Sequence, residues 1–298
     1  MVSVSTSDAT GGSVVAGLLR TARPRQWTKN VLVVAAPLAA GELFEPDVLI
    51  DTAIAFVCFW VAASGIYLVN DACDVEEDRR HPTKQHRPVA AGVVAVRIAL
   101  GAGLGLVVAG TALGFMARWE LAALIGVYAG LQLAYCFGLK HQAVVDLAVV
   151  SSGFLLRAMA GGVAAGLVIS QWFLLVTGFG SLFMVAGKRY SELHELGEAA
   201  GGTRRSLTRY SDSYLRFVWS VSAGVSLVVY SLWAFEISGE GPWAPLSIAP
   251  FTLALLRYAV DIDAGAAGEP EDIVLNDRVL QLLALLWLGL IALEVFGG

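Results

Sequence analysis

"YLVNDACDVEEDRRHPTKQHRP", Tyr67 to Pro88, carries both the fold and the chemistry. It interrupts an otherwise oily chain: "FVCFWVAASGIYLV" runs into it, and "IALGAGLGLVVAG" follows shortly after. Carboxylates and bases are thus crowded between two apolar segments of the length a bilayer requires. Asn70, Asp71, Asp74 and Asp78 stand as N-D-x-x-D-x-x-x-D. On a helix, positions 71, 74 and 78 fall on one face, one and two turns apart, with Asn70 beside them. Three carboxylates on one face repel one another unless a cation sits among them. Magnesium takes a few carboxylates together with waters and substrate phosphates. The pattern therefore suits a Mg2+-bridged diphosphate at a membrane surface, with Asp71 and Asp74 as ligands and Asp78 as a third or water-mediated one. The competing reading is a solvated acidic helix end, helped by Arg79 and Arg80. Acidic residues at a helix C-terminus oppose the macrodipole, which makes them poor stabilisers there.

The rest of the chain places this stretch at a bilayer. Its 298 residues are 57% hydrophobic and 15% charged, with a mean hydropathy of +0.68. A soluble domain carries about 25% charged residues. Repeated apolar runs of about 20 residues predict an all-α, polytopic membrane protein, and no segment shows the dyad alternation of a transmembrane barrel. Nine spans are expected, near 28–43, 48–70, 92–115, 119–138, 144–167, 171–188, 213–236, 244–260 and 278–296. Residues 1–22 are expected to be a disordered cytoplasmic tail without a cleaved signal, and 23–298 a single transmembrane catalytic domain. Cys58, Cys73 and Cys136 lack metal-ligand spacing and read as packing residues. Nothing in the pattern points to nucleic acid.

Basic residues set the expected orientation. "GELFEPD", "RWE", "GLVIS" and "ISGEGPW" are short connections, whereas 71–91, 139–143, 189–212 and 261–277 are charged. With the N-terminus inside, nearly every Lys and Arg falls on the inner side; Arg118 lies outside and Arg157 within a span. By the positive-inside rule the N-terminus is cytoplasmic and the C-terminus outside, in a plasma membrane. One face then carries nearly all the polar chemistry.

N-D-x-x-D-x-x-x-D after the second span, followed by "KQHRPVAAG", resembles the UbiA superfamily of intramembrane prenyltransferases, and the likeness in loop order covers the whole chain. The resemblance implies a helical bundle with cytoplasmic motif loops, in which the first aspartate motif binds Mg2+ and the donor diphosphate. Lys84 and Arg87 match the basic residues after that motif, with an implied role on phosphate oxygens; Lys84 also reads as an ordinary cytoplasmic anchor. In "YCFGLKHQAVVD", Tyr135 and Lys140 match the family's Tyr…Leu-Lys element. Asp146 lies one or two turns into the next span, where a carboxylate is costly unless it faces a wet cavity or a cation. Arg157 is eleven residues on, close to the same face, so an Asp146–Arg157 pair and a substrate role stay open together.

The sixth-to-seventh loop departs from the family. Where a second D-x-x-x-D is usual, this chain has "GKRYSELHELG". Lys188, Arg189 and Tyr190 stand in place of carboxylates, and Glu192 and Glu195 remain. One acidic cluster with added cations suits two phosphorylated substrates. Arg204, Arg205, Arg209 and Tyr210 follow, and the positive-inside rule alone also accounts for those bases. Gln26, Trp27, Lys29 and Asn30 in "RPRQWTKN" form a polar cluster at the inner end of the first span. Together with "NDACDVEEDR", "KRYSELHELG" and "GFLLRAMAGG", they resemble the branch that transfers 5-phosphoribosyl from phosphoribosyl diphosphate to a polyprenyl phosphate. The implied catalytic set is Asp71, Asp74, Asp78, Asn70 and Lys29, with Mg2+ as cofactor. The implied substrate contacts are Gln26, Lys84, Arg87, Tyr135, Lys140, Asp146, Arg157, Lys188, Arg189, Tyr190 and Glu192, with Lys188 and Arg189 expected on the ribose 5-phosphate. Membrane lipid surrounds the protein, and a homo-oligomer is left open. The alternatives are an aromatic-acceptor or haem prenyltransferase using a polyprenyl diphosphate, and a lipid or small-molecule transporter.

Overall fold

The computed structural model describes residues 9–196, 207–237, 241–268 and 270–296. Among them the helices are α1 (Ala9–Thr21), α2 (Ala35–Ala39), α3 (Pro46–Cys73), α4 (Val75–Arg80), α5 (Val96–Leu113), α6 (Trp119–Phe137), α7 (Val145–Ala165), α8 (Gln171–Leu196), α9 (Asp212–Ile237), α10 (Trp243–Asp263), α11 (Pro270–Asn276) and α12 (Arg278–Phe296). Among the described residues, seven helices are long and apolar enough to cross a membrane: α3, α5 with the turn after it, α6, α7, α9, α10 and α12. The fold is therefore a polytopic helical bundle, as expected, though the count of nine is not reached on those terms. At 26 residues α8 is about 39 Å long, but Lys188, Arg189 and Glu192 occupy its last turns. The span expected at 28–43 is not one helix. It is a 3-10 segment, Pro24–Val34, followed by the short α2. Pro24 fixes the first turn, and Gln26, Lys29 and Asn30 deprive the segment of an apolar face.

Two apolar cores meet at α7. Phe59, Ile66, Leu121, Ile125 and Tyr128 pack with Ala160 and Ala164 of α7. Phe183, Tyr190, Leu215, Tyr258 and Ile262 pack with Leu147, near the start of α7. Backbones come together through small residues, as they do where lipid supplies no hydrophobic drive between helices. A Cβ on Gly65 would lie 2.5 Å from the carbonyl oxygen of Gly103, which joins α3 to α5. A Cβ on Gly161 would lie 2.2 Å from the carbonyl oxygen of Val33, so the 3-10 segment rests directly on α7.

Residues 9–21, expected within a disordered tail, form α1. The sequence "SVVAGLLRT" gives this helix an apolar side, and Leu18 packs on the cluster of Leu68, Ala72, Val89, Val94 and Ala99. Gly17 allows the approach to Val94, since a Cβ there would sit 2.6 Å from a Val94 methyl.

Two substitutions test the close packing of the 3-10 segment. Gly161→Ala should destabilise by about 1–3 kcal/mol, because the obstructing atom is backbone and cannot rotate away. Gly105→Ala meets nothing within 4 Å and should be neutral or stabilising by up to about 1 kcal/mol. Unfolding of each protein in mixed micelles measures both, and equal stabilities would contradict the packing.

Candidate active site

The polar chemistry gathers at one end of the bundle, where α3 stops. α3 ends at Cys73, Asp74 turns out of the helix with φ −92° and ψ 4°, and α4 begins at Val75. The three aspartates are therefore not on one continuous helical face, as the spacing predicts, but wrap around a break. Each is answered by a cation from elsewhere in the chain. Arg23 Nη2 donates to Asp71 Oδ1 at 2.5 Å. Arg87 Nη1 donates to Asp78 Oδ2 at 2.7 Å and to Asp71 Oδ1 at 3.2 Å. Lys140 pairs with Asp74, which also accepts from Asn70 Nδ2 at 3.1 Å. Asp71 is only 2% exposed, yet two guanidinium groups compensate its charge. Burial pushes the Asp78 carboxyl up from its usual range, and Arg87 pulls it back.

Backbone strain helps build this arrangement. Arg23 has φ +54° and Val144 has φ +69°; both are conformations that L residues adopt at a cost of about 1–3 kcal/mol. The first aims Arg23 at Asp71, over the Tyr67 ring. The second turns the chain into α7, where the Val144 N–H donates to Tyr210 Oη at 2.8 Å.

The second constellation lies in the first turn of α7. Asp146, 0% exposed, is held by both prongs of Arg189: Nε at 2.7 Å and Nη2 at 3.2 Å. Tyr135 Oη donates to it at 2.7 Å, and Arg189 Nη1 reaches Glu192 at 2.8 Å. Tyr190 Oη accepts from Arg216 Nη2 at 2.7 Å. The Asp146–Arg157 pair does not form. Eleven residues carry Arg157 about 16 Å down the helix, beyond direct reach. Arg157 bonds instead to Asn30, Gly153 and Tyr128. Arg189, expected on a substrate phosphate, is buried in a double ion pair that fastens α8 to α7.

Lys29 lies over the Phe154 ring at 6.0 Å. Gln26, Lys84 and Lys188 are half-buried, and Arg209 is exposed. Arg204, Arg205 and the side chain of Glu195 lie outside the described residues. Sequence reasoning missed Arg23 as a site residue; its signal is the Arg-Pro step that opens the 3-10 segment. It also missed Arg216 and Tyr128, whose roles depend on contacts across 26 and 29 residues.

The donor set suits a hard divalent cation in one respect. Asp71 and Asp74 offer carboxylate oxygens at a helix end, and Mg2+ commonly takes one or two carboxylates plus waters and phosphates. No three His, Cys, Asp or Glu side chains converge among the described residues, so a three-aspartate cage is not formed. Asp78 braces Arg87 instead.

Beside the second constellation runs an apolar groove of about 560 Å³ between α7, α8 and α9. Leu147, Leu155, Leu174, Phe179, Phe217 and Val221 line it, with Val144 and Tyr214 at the end nearest the charges.

Comparison with known proteins gives the family. The UbiA prenyltransferase family matches residues 31–275. Proteins named decaprenyl-phosphate phosphoribosyltransferase are similar over nearly the full chain. The one from Mycobacterium tuberculosis is 55% identical over 291 residues, 96% of each chain. That of Corynebacterium glutamicum is 53% identical over 290 residues, 94% of this chain and 87% of its own. Among solved structures, a UbiA homolog from Archaeoglobus fulgidus bound to DMAPP and Mg2+ superposes with a TM-score of 0.71 at 15% identity, covering 94% of this chain and 98% of that one. A digeranylgeranylglyceryl phosphate synthase gives 0.69 at 14% identity, covering 95% and 99%. These structural likenesses establish the fold alone.

The Asp146–Arg189 contact makes a stability prediction. Asp146→Ala removes the fully buried partner of the Arg189 guanidinium, leaves it Glu192, and should cost about 3 kcal/mol. The double variant Asp146→Leu with Arg189→Met removes both charges and should recover most of that loss. Denaturant unfolding in mixed micelles compares them; a double variant less stable than either single one would contradict the pairing.

Proposed function

The chain belongs to the UbiA prenyltransferase family, and from that premise we propose that it transfers a 5-phosphoribosyl group from phosphoribosyl diphosphate to decaprenyl phosphate, releasing diphosphate. One observation carries the reading: identity of 53–55% over nearly the whole chain to relatives bearing that activity in their names. The geometry supports it. A cluster of three carboxylates and three cations at one end suits a phosphate-rich donor, and the groove beside α8 suits a lipid chain.

The chemistry asks little of the protein in proton transfer. An oxygen of the lipid phosphate forms a bond to ribose C1 as the C1–O bond to diphosphate breaks, with inversion. The nucleophile is already an anion and needs no general base. It needs alignment and charge shielding. Arg23, Arg87 and Lys140 hold the aspartates in this structure, and each can turn to a phosphate oxygen in a charge-assisted contact. Mg2+ held by Asp71 and Asp74 would neutralise charge on the leaving diphosphate. Arg189 is a positioning residue: with Asp146 it fixes the helix end that presents Lys188, the cation assigned to the ribose 5-phosphate. The isoprenoid chain lies along the α7–α8–α9 groove. The acidic end faces the cytoplasm, because nearly all Lys and Arg lie on that side.

Two experiments test these statements. Purified protein in detergent should move label from phosphoribosyl diphosphate into an organic-phase lipid when polyprenyl phosphate and Mg2+ are present. Asp71→Ala and Asp74→Ala should lower turnover by about 100-fold or more; near-normal turnover of both, with EDTA present, would remove the metal from the account. In a Cys73→Ser background, Gln85→Cys should be labelled only from the cytoplasmic side and Met116→Cys only from outside. Labelling of both from the same side would overturn the orientation.

A further inference from the structure

Arg157 sits twelve residues into α7, 6% exposed, surrounded by neutral groups. Its Nε donates to Asn30 Oδ1 at 3.0 Å, Nη1 to the Gly153 carbonyl at 2.9 Å and Nη2 to Tyr128 Oη at 2.7 Å. The guanidinium lies over the rings of Tyr128, at 4.8 Å, and Phe59, at 5.8 Å. Among the described residues no carboxylate pairs with it. Arg189, equally buried, has Asp146 and Glu192. A buried charge is ordinarily paired, and an ionised group deep in a membrane protein is costly unless it serves a ligand or a partner.

A second, independent feature lies against the first. Asn30 is 1% exposed; its Oδ1 accepts from Arg157, while its Nδ2 has no acceptor. A guanidinium carries five N–H donors, of which three are used here, and the Asn30 amide adds two more. The constellation is thus rich in unspent donors and short of one negative charge. Aromatic walls and a low local dielectric strengthen any contact made there. Asn30 also belongs to the same 3-10 segment that Arg23 precedes, and Arg23 touches Asp71. Seven residues at about 2 Å each separate them, so one short stretch of chain joins this constellation to the acidic end.

We propose that Arg157 and Asn30 form an anion site that takes phosphate oxygens of a substrate. This rests on the phosphate-transfer reading above for the identity of its occupant. Two groups share the required chemistry, the lipid phosphate of the acceptor and the 5-phosphate of the donor, which Arg157 would then take in place of Lys188. Tyr128 and Gly153 hold the guanidinium fork in place, and Asn30 completes the cradle.

Asn30→Asp tests this with little change of shape, because it gives Arg157 an internal carboxylate. The full-length variant in detergent should unfold at or above the wild-type temperature. Inorganic phosphate should raise the Tm of the wild type and leave that of the variant unchanged. In the transfer assay the KM for one phosphate substrate should rise by roughly 10- to 100-fold. A rise confined to polyprenyl phosphate identifies the lipid headgroup as occupant; a rise confined to phosphoribosyl diphosphate identifies the 5-phosphate. Arg157→Lys, which keeps the charge and loses the fork, should weaken phosphate protection without abolishing it. Equal phosphate-induced shifts in wild type and both variants, with KM values unchanged, would overturn the site and make Arg157 a strut between α7 and the 3-10 segment. A wild type that gains stability from phosphate yet transfers no label would sink the transfer reading and leave the site standing.

Discussion

Asp71, Asp74 and Asp78 are close enough to repel one another, and the chain meets that cost with Arg23, Arg87 and Lys140. The three cations come from the residue that opens the N-terminal 3-10 segment, the loop after α4 and the turn between α6 and α7. Three separate stretches of backbone are thereby fastened to the end of one helix. A buried charge such as the Asp71 carboxylate is costly unless it is paired. Arg23 and Arg87 supply that pairing. The same neutralisation keeps the site adaptable, since a cation that balances a carboxylate can equally balance a phosphate oxygen once a substrate brings its own charge.

The second constraint is α7, which belongs to both apolar cores. Near its start, Asp146 and Arg189 tie it to α8. Deeper down, Gly161 lets the 3-10 segment lie directly on it, and Arg157 reaches across to Asn30 on that segment. The two arginines follow opposite rules. Arg189 is neutralised by protein and fixes the frame. Arg157 is not, and that difference separates a positioning role from the binding role proposed for it. The groove between α7, α8 and α9 begins beside Asp146, so the lipid-facing and charged parts of the site share one helix end.

Much of this was legible in the chain. Apolar runs of bilayer length mark α3, α5, α6, α7, α9, α10 and α12, because a span must satisfy its backbone within one segment whatever its neighbours do. The aspartate motif marks the end of α3 for a similar reason: its density of charge has no role in a lipid-facing helix. The expected first span is instead a 3-10 segment and a short helix, and hydropathy does not show that its polar Asn30 is buried. The Asp146–Arg157 pairing failed on distance, since angular position on a helix says nothing of the axial separation. A loop cation such as Arg189 reads as exposed in sequence, and only the packing of α8 on α7 shows it buried. The partners of the three aspartates were illegible for the same reason: Arg23 is 48 residues from Asp71, and Lys140 is 66 residues from Asp74.

The central claim is that the acidic end of α3 receives a diphosphate through Asp71 and Asp74 together with a divalent metal. Calorimetric titration of inorganic diphosphate into the purified protein tests it without relying on turnover. With Mg2+ present, binding should be about tenfold tighter or more than in EDTA, and Asp71→Ala should abolish the difference. Equal affinity with and without the metal, unchanged in Asp71→Ala, would show that Arg23, Arg87 and Lys140 alone hold the diphosphate and would contradict the account.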